Sequence, residues 1–147
     1  MNRINIICLG VRDMAASLAF YKNIGFKTYA REEQPPIVFF DNRGSKLELY
    51  SLEGLAKDIC ADNPPKLPEG GFRGFTMAIN LKSEEEVDAF IKTAESAGAT
   101  VVKPPERVFW GGYSGYFTDP DGYYWEAAYA DMWKFDENDM LIIENNE

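Results

Sequence analysis

Residues 110–126 read WGGYSGYFTDPDGYYWE, and the fold turns on how this stretch is parsed. Asp119, Pro120, Asp121 and Gly122 are turn formers set between two aromatic-rich pieces of strand length, Ser114 to Thr118 and Tyr124 to Tyr129. The stretch therefore predicts two strands joined by a tight turn. Alternate residues of a strand share a face, so Glu126 lies with Tyr124 and Ala128, while Trp125, Ala127 and Tyr129 face the other way. An acid is thus separated from a bulky apolar set that suits a core.

Upstream, Gly74 to Leu81 reads as a strand, and Ser83 with Glu86 three residues on forms a capping box for a helix. That helix carries Val87, Phe90, Ile91 and Ala94 at helical spacing, and Gly98 ends it. Thr100 to Val102 is a further strand-like piece. The same order precedes it: a strand from Asn5 to Gly10, the N-cap Asp13, a helix from Met14 to Ile24 ending at Gly25, then strands at Lys27 to Arg31, Ile37 to Asp41 and Lys46 to Ser51. Between the halves, Gly54 to Gly71 is a connection rich in Pro, Gly and charge. The caps Asp13 and Ser83 lie 70 residues apart, as do Phe20 and Phe90, so one offset aligns both halves. Alternation sets Glu48 opposite Leu47 and Leu49, and Thr76 opposite Phe75 and Met77.

A chain of 147 residues buries roughly two-thirds of its unfolded surface as one domain. Its 46% hydrophobic and 27% charged residues are those of a globular protein. No apolar run approaches the roughly 20 residues that span a bilayer, and the N-terminus lacks a signal peptide's apolar segment, so a cytoplasmic location is expected. A net charge of −9 disfavours nucleic acid and anionic membranes as partners. Cys8 and Cys60 have neither disulfide nor zinc-ligand spacing and are expected to be reduced thiols. Histidine is absent, which removes His triads, zinc sites and facial triads. Acid–base chemistry is left to carboxylate, tyrosine, cysteine or lysine.

The closing stretch from Trp110 to Glu126, together with the opening Leu9, Gly10, Val11, Arg12, Asp13, then Ser17, Phe20, Tyr21, Gly25 and Phe26, resembles the vicinal oxygen chelate superfamily of glyoxalase, bleomycin resistance and dioxygenase proteins. The resemblance covers about residues 4 to 130. It implies an α+β fold of two tandem βαβββ modules forming a curved mixed sheet around a cavity. Module 1 then spans about 4–53, the linker 54–72, module 2 73–130 and the tail 131–147, in a single domain. In metal-using members four side chains enter the cavity, typically His, Glu, His and Glu. Their counterparts here are Ile6, Glu48, Thr76 and Glu126: both acids are present and both imidazoles are absent. No metal is expected, because oxygen donors alone suit zinc or nickel poorly; the alternative is magnesium or manganese, whose octahedron waters could complete around the two carboxylates. No cofactor is assigned.

Two acids facing one cavity would raise each other's pKa and form a candidate acid–base pair for enolisation or isomerisation of a small carbonyl compound. Glu48 and Glu126 are the candidate catalytic acids, with Tyr116 as a hydrogen-bonding partner. A basic partner such as Lys46 or Arg107 would instead make them structural. Thr76, Trp110, Tyr113 and Tyr124 are the candidate ligand-binding residues, Trp110 and Tyr113 from the loop that Gly111 and Gly112 would let move. The expected function is a glyoxalase-like enzyme of lyase, isomerase or dioxygenase-related descent without histidine ligands. The alternative is a non-catalytic protein that sequesters a small molecule, as bleomycin resistance members do. The apolar tail with Met132, Trp133, Phe135 and Leu141 to Ile143 is expected to pack on the domain or a second subunit, family members often being homodimers.

Overall fold

In the computed structural model, which describes residues 1–144, each expected helix cap carries its hydrogen bond. The first strand, β1 (Ile6–Val11), leads to Asp13, whose side chain accepts the Ala16 amide at 3.0 Å to begin α1 (Met14–Asn23). Gly25 past its end has a φ of 107°, the left-handed conformation that glycine adopts without Cβ strain. β2 (Ile37–Phe39) and β3 (Lys46–Ser51) follow. Lys27 to Arg31, expected as a strand, contributes only an isolated bridge from Thr28 to Phe40. The Thr28 hydroxyl donates to the Phe39 carbonyl at 2.7 Å, bonding the backbone locally in place of a longer ladder.

The expected linker is also corrected. Residues Leu52–Ile59 form a helix, α2, capped by the Ser51 hydroxyl on the Gly54 amide at 2.9 Å. Gly54 disguises it in the sequence, since glycine costs about 1 kcal/mol in a helix interior. A Cβ on Gly10 would come within 2.7 Å of Leu52 Cδ1, so the glycine of the opening motif admits α2 against β1.

Two compact units emerge. The first comprises Met1–Phe75 with Pro120–Gly122. Its sheet runs β1-β3-β2, with β1 parallel and β2 antiparallel to β3. Leu9, Val11, Leu47 and Leu49 are buried on one face, while Ile6, Cys8 and Glu48 occupy the other by alternation. Tyr21, fully buried, packs against Phe20, Phe26 and Phe40 with ring centroids 5.2 to 5.6 Å apart. The Pro120–Gly122 turn bonds within this unit: Asp121 accepts the Arg12 amide and the Ser17 hydroxyl, each at 2.8 Å.

The second unit comprises Thr76–Asp119 and the chain from Tyr123 onward. β4 (Met77–Asn80) precedes α3 (Glu84–Ser96), then come β5 (Thr100–Arg107), β6 (Gly112–Thr118) and β7 (Tyr124–Ala130). The sheet order is β4-β7-β6-β5, with only β4 and β7 parallel. The capping box forms in a shifted version: the Ser83 hydroxyl accepts the Glu86 amide at 3.1 Å, and Glu86 reaches back to the Lys82 amide at 2.8 Å. Val87, Ile91 and Ala94 of α3 bury against the sheet face of Phe117, Trp125 and Ala127. Phe117 stacks on Trp125, planes 3° apart, and meets Phe90 at 6.0 Å. β5 runs five residues past its expected end because register shifts at Lys103 accommodate Pro104 and Pro105. A Cβ on Gly115 would sit 3.0 Å from the Lys103 carbonyl oxygen, so a glycine allows that close passage.

The architecture is mixed α+β, with three- and four-stranded sheets and three helices among the described residues. No helix among them is long and apolar enough to cross a membrane.

Candidate functional site

Registry decides which side chains meet on the second sheet. Lys103, Tyr116, Glu126 and Ala78 stand opposite one another across β5, β6, β7 and β4. Tyr116 donates a hydrogen bond to Glu126, and Lys103 Nζ lies 6.0 Å from the Tyr116 ring centroid. The Tyr116 hydroxyl is held above the ordinary tyrosine pKa, first by burial, then by the Glu126 charge and the bond to it. Tyr116 is therefore a neutral donor at physiological pH.

Lys103, Tyr116 and Glu126 of this row floor a cavity of about 320 Å³ that Arg107, Trp110 and Ser114 also line, among others. The site is mixed in charge and aromatic on one wall. Lys103 pairs with Glu106 at 3.5 Å, and Arg107 with Glu84 at 3.1 Å, so Arg107 is engaged by an acid of α3.

Tyr113 belongs to the other side of the sheet. Its face is that of Gly115 and Phe117, and its hydroxyl donates to Asp88 of α3 at 2.7 Å, which raises its pKa to about 12. It lines a separate cavity of about 270 Å³ with Glu84, Arg107, Tyr129 and Asp131. Tyr124 shares the Glu126 face and stands opposite Thr118. Thr76 is exposed just before β4, on the side of Ala78 by alternation. Of the candidates in this unit, the structure thus unites Glu126, Tyr116 and Trp110.

The first unit holds the corresponding acid. Glu48 stands opposite Cys8 on β1 and Phe39 on β2, where the repeat offset of 70 residues aligns Cys8 with Ala78. The Cys8 thiol donates to Glu48 Oε1 at 3.4 Å. Burial first, then the Glu48 charge and this bond, push the thiol up to about 12, so it stays protonated. Ile6, the position carried over by the resemblance, pairs with Lys46 and is exposed. Lys46 itself binds Asp41 at 3.5 Å and the Asn42 carbonyl.

Sequence reading missed two neighbours of the acids. Cys8 shares the face of Ile6, and parallel pairing of the first and last strands of the half would have set it beside Glu48. Lys103 was hidden because Pro104 marked the strand's apparent end. Among the described residues, no three or more His, Cys, Asp or Glu groups gather as a metal ion would need.

Residues 3–127 match the model of the Glyoxalase/Bleomycin resistance protein/Dioxygenase superfamily. The fold is similar to that of a glyoxalase-related enzyme from Fulvimarina pelagi at 26% identity and a TM-score of 0.86, covering 99% of this chain and 100% of that one. A glyoxalase/bleomycin resistance protein/dioxygenase from Nocardioides is similar at 25% identity and a TM-score of 0.71, covering 90% of this chain and 86% of that one. A lactoylglutathione lyase from Agrobacterium tumefaciens shares the fold at 23% identity and a TM-score of 0.65, covering 92% and 98%. No curated protein matches the chain.

Proposed function

This chain belongs to the Glyoxalase/Bleomycin resistance protein/Dioxygenase superfamily, and from that premise we propose that it is an acid–base enzyme acting on a small carbonyl compound bound over the second sheet. The observation that carries this reading is the Tyr116–Glu126 pair at the floor of the 320 Å³ cavity. Glu126 accepts the proton from the carbon next to the carbonyl, and the Tyr116 hydroxyl, kept neutral, turns from Glu126 to donate its one hydrogen bond to the oxygen where enolate charge develops. Lys103 adds positive charge on the same side.

The residues at the four inherited ligand positions do not fit the family's nitrogen-ligated metal. Ile6 offers hydrocarbon, Thr76 a hydroxyl, and Glu48 holds a protonated thiol.

The reading is tested by incubating the protein in D2O with a panel of small 2-hydroxy and 2-keto carbonyl compounds and following α-proton exchange by NMR. Exchange catalysed by the wild type and lost by at least about a hundredfold in Glu126→Gln supports it. Panel compounds that bind without exchanging would establish the second reading, a sequestering protein, which the fixed aromatic wall at Trp110 favours.

A further inference from the structure

One wall of the cavity over the second sheet is not made by the strand row at its floor. The Trp110 ring lies against Gly112 so closely that a Cβ there would come within 1.9 Å of Cζ3 and 2.0 Å of Cη2. Trp133 stacks on that ring from the C-terminal tail, centroids 5.7 Å and planes 27° apart. The two indoles form a layered pair whose inner member lines the cavity.

The tail carrying Trp133 is itself folded over residues 133–142. The Trp133 amide bonds the Ala130 carbonyl at 3.1 Å, Phe135 and Leu141 form an antiparallel bridge, and the Ile142 amide closes on the Lys134 carbonyl at 2.9 Å. Asp136 accepts the amides of Asn138 and Met140 at 2.8 and 2.9 Å. Lys82, between β4 and α3, fastens this turn: its Nζ is 2.5 Å from Asp139 Oδ1 and 5.7 Å from the Phe135 ring centroid. Asp139 holds a φ of 60°, uncommon for a residue with a side chain, at the point where Lys82 grips it.

We propose that the tail is the specificity element of the cavity, with Trp133 a positioning residue that holds Trp110 as a flat wall selecting planar, conjugated ligands. This rests on the reading of that cavity as the binding site. An indole face attracts a flat π system by offset stacking and dispersion over its whole area, whereas a puckered ring of the same size touches it at few atoms. Without Trp133 the Trp110 ring loses its backing and samples other rotamers, and the preference for flat ligands falls.

The test compares 2-naphthol with decahydro-2-naphthol, which share a skeleton and a hydroxyl but differ in planarity. Affinities come from NMR titrations that follow the indole N–H signals. The wild type is expected to favour 2-naphthol by about three- to tenfold, with the largest shift at Trp110. Trp133→Ala should bring that ratio close to one and abolish the far-UV circular dichroism couplet of the indole pair; Trp133→Phe should restore much of the ratio. Lys82→Ala, which leaves both tryptophans in place, should lower the ratio in part, and it serves if Trp133→Ala does not fold. A ratio unchanged in Trp133→Ala and Lys82→Ala overturns the role of the tail while leaving the cavity reading standing. Equal affinity of the wild type for both compounds, or binding of neither, overturns the proposal, and α-proton exchange dependent on Glu126 then decides the cavity reading separately.

Discussion

The Ser17 hydroxyl donates to Asp121 Oδ2 at 2.8 Å, joining residues 104 positions apart in the chain. Ser17 belongs to the opening motif and Asp121 to the Asp-Pro-Asp-Gly turn, and the other Asp121 oxygen takes the Arg12 amide at 2.8 Å. The two short motifs most diagnostic of the family are thus two halves of one hydrogen-bonded junction in the first unit. Their joint presence has a mechanical reason.

That junction is open to measurement by denaturation. Ser17 is 1% exposed, so Asp121→Ala strands a buried hydroxyl and should cost about 1–3 kcal/mol. Adding Ser17→Ala should recover part of the loss, because the stranded group is then gone. Strict additivity of the two changes would show that the bond contributes nothing.

Cys8 should be a sluggish thiol. At pH 8 iodoacetamide is expected to label exposed Cys60 first, with Cys8 slower by roughly a hundredfold, since a pKa of about 12 leaves little thiolate. Glu48→Gln should accelerate Cys8 only in part, because burial is the larger cause. Mass spectrometry of the labelled peptides reads both rates, and equal labelling of the two cysteines in the wild type would refute the pairing.

Alkaline stability carries a sign that Cys8 and Tyr113 share with Tyr116 and Tyr129. A group with a raised folded pKa favours the fold fully below its unfolded pKa, and that contribution is lost as pH climbs to the folded value. For Cys8 the window runs from 9.0 to about 12, and for Tyr113 from 10.0 to about 12. Stability should therefore fall between about pH 9 and 12. Tyr113→Phe should flatten the upper part of this fall and Cys8→Ala its onset, as followed by urea midpoints at stepped pH.

The core under α3 depends on one aromatic side chain. Phe117 is fully buried between Phe90 and Trp125, and Phe117→Ala should cost about 3–5 kcal/mol through lost transfer energy and the cavity left behind. Tyr116→Phe, one residue away on the opposite face, should cost far less. Comparable losses for the two would contradict the assigned sheet faces.

Local chemistry explains what the sequence made legible. The caps at Asp13 and Ser83, the glycines ending both helices and the faces of Glu48 and Glu126 depend on neighbours within a few residues, and each is found where alternation or capping put it. Registry is another matter. The pairing of Cys8 with Glu48 and of Lys103 with Tyr116 depends on how strands slide past one another, which no single strand encodes. Tyr113 was misplaced for a related reason: read as part of a mobile loop, it is in fact the second residue of β6, and strand geometry turns it toward Asp88. Helix α2 was concealed by Gly54 and by Ser51, which is at once the last residue of β3, as read, and the cap of the helix.

The contact between Trp110 and Gly112 gives a missing methyl group a lasting role. The indole fills volume that the first carbon of any other side chain would claim, so bulk at 112 and an inward tryptophan at 110 exclude each other. Among related chains, the identity of that one residue should forecast whether the pocket is narrow and ring-walled or broad and open.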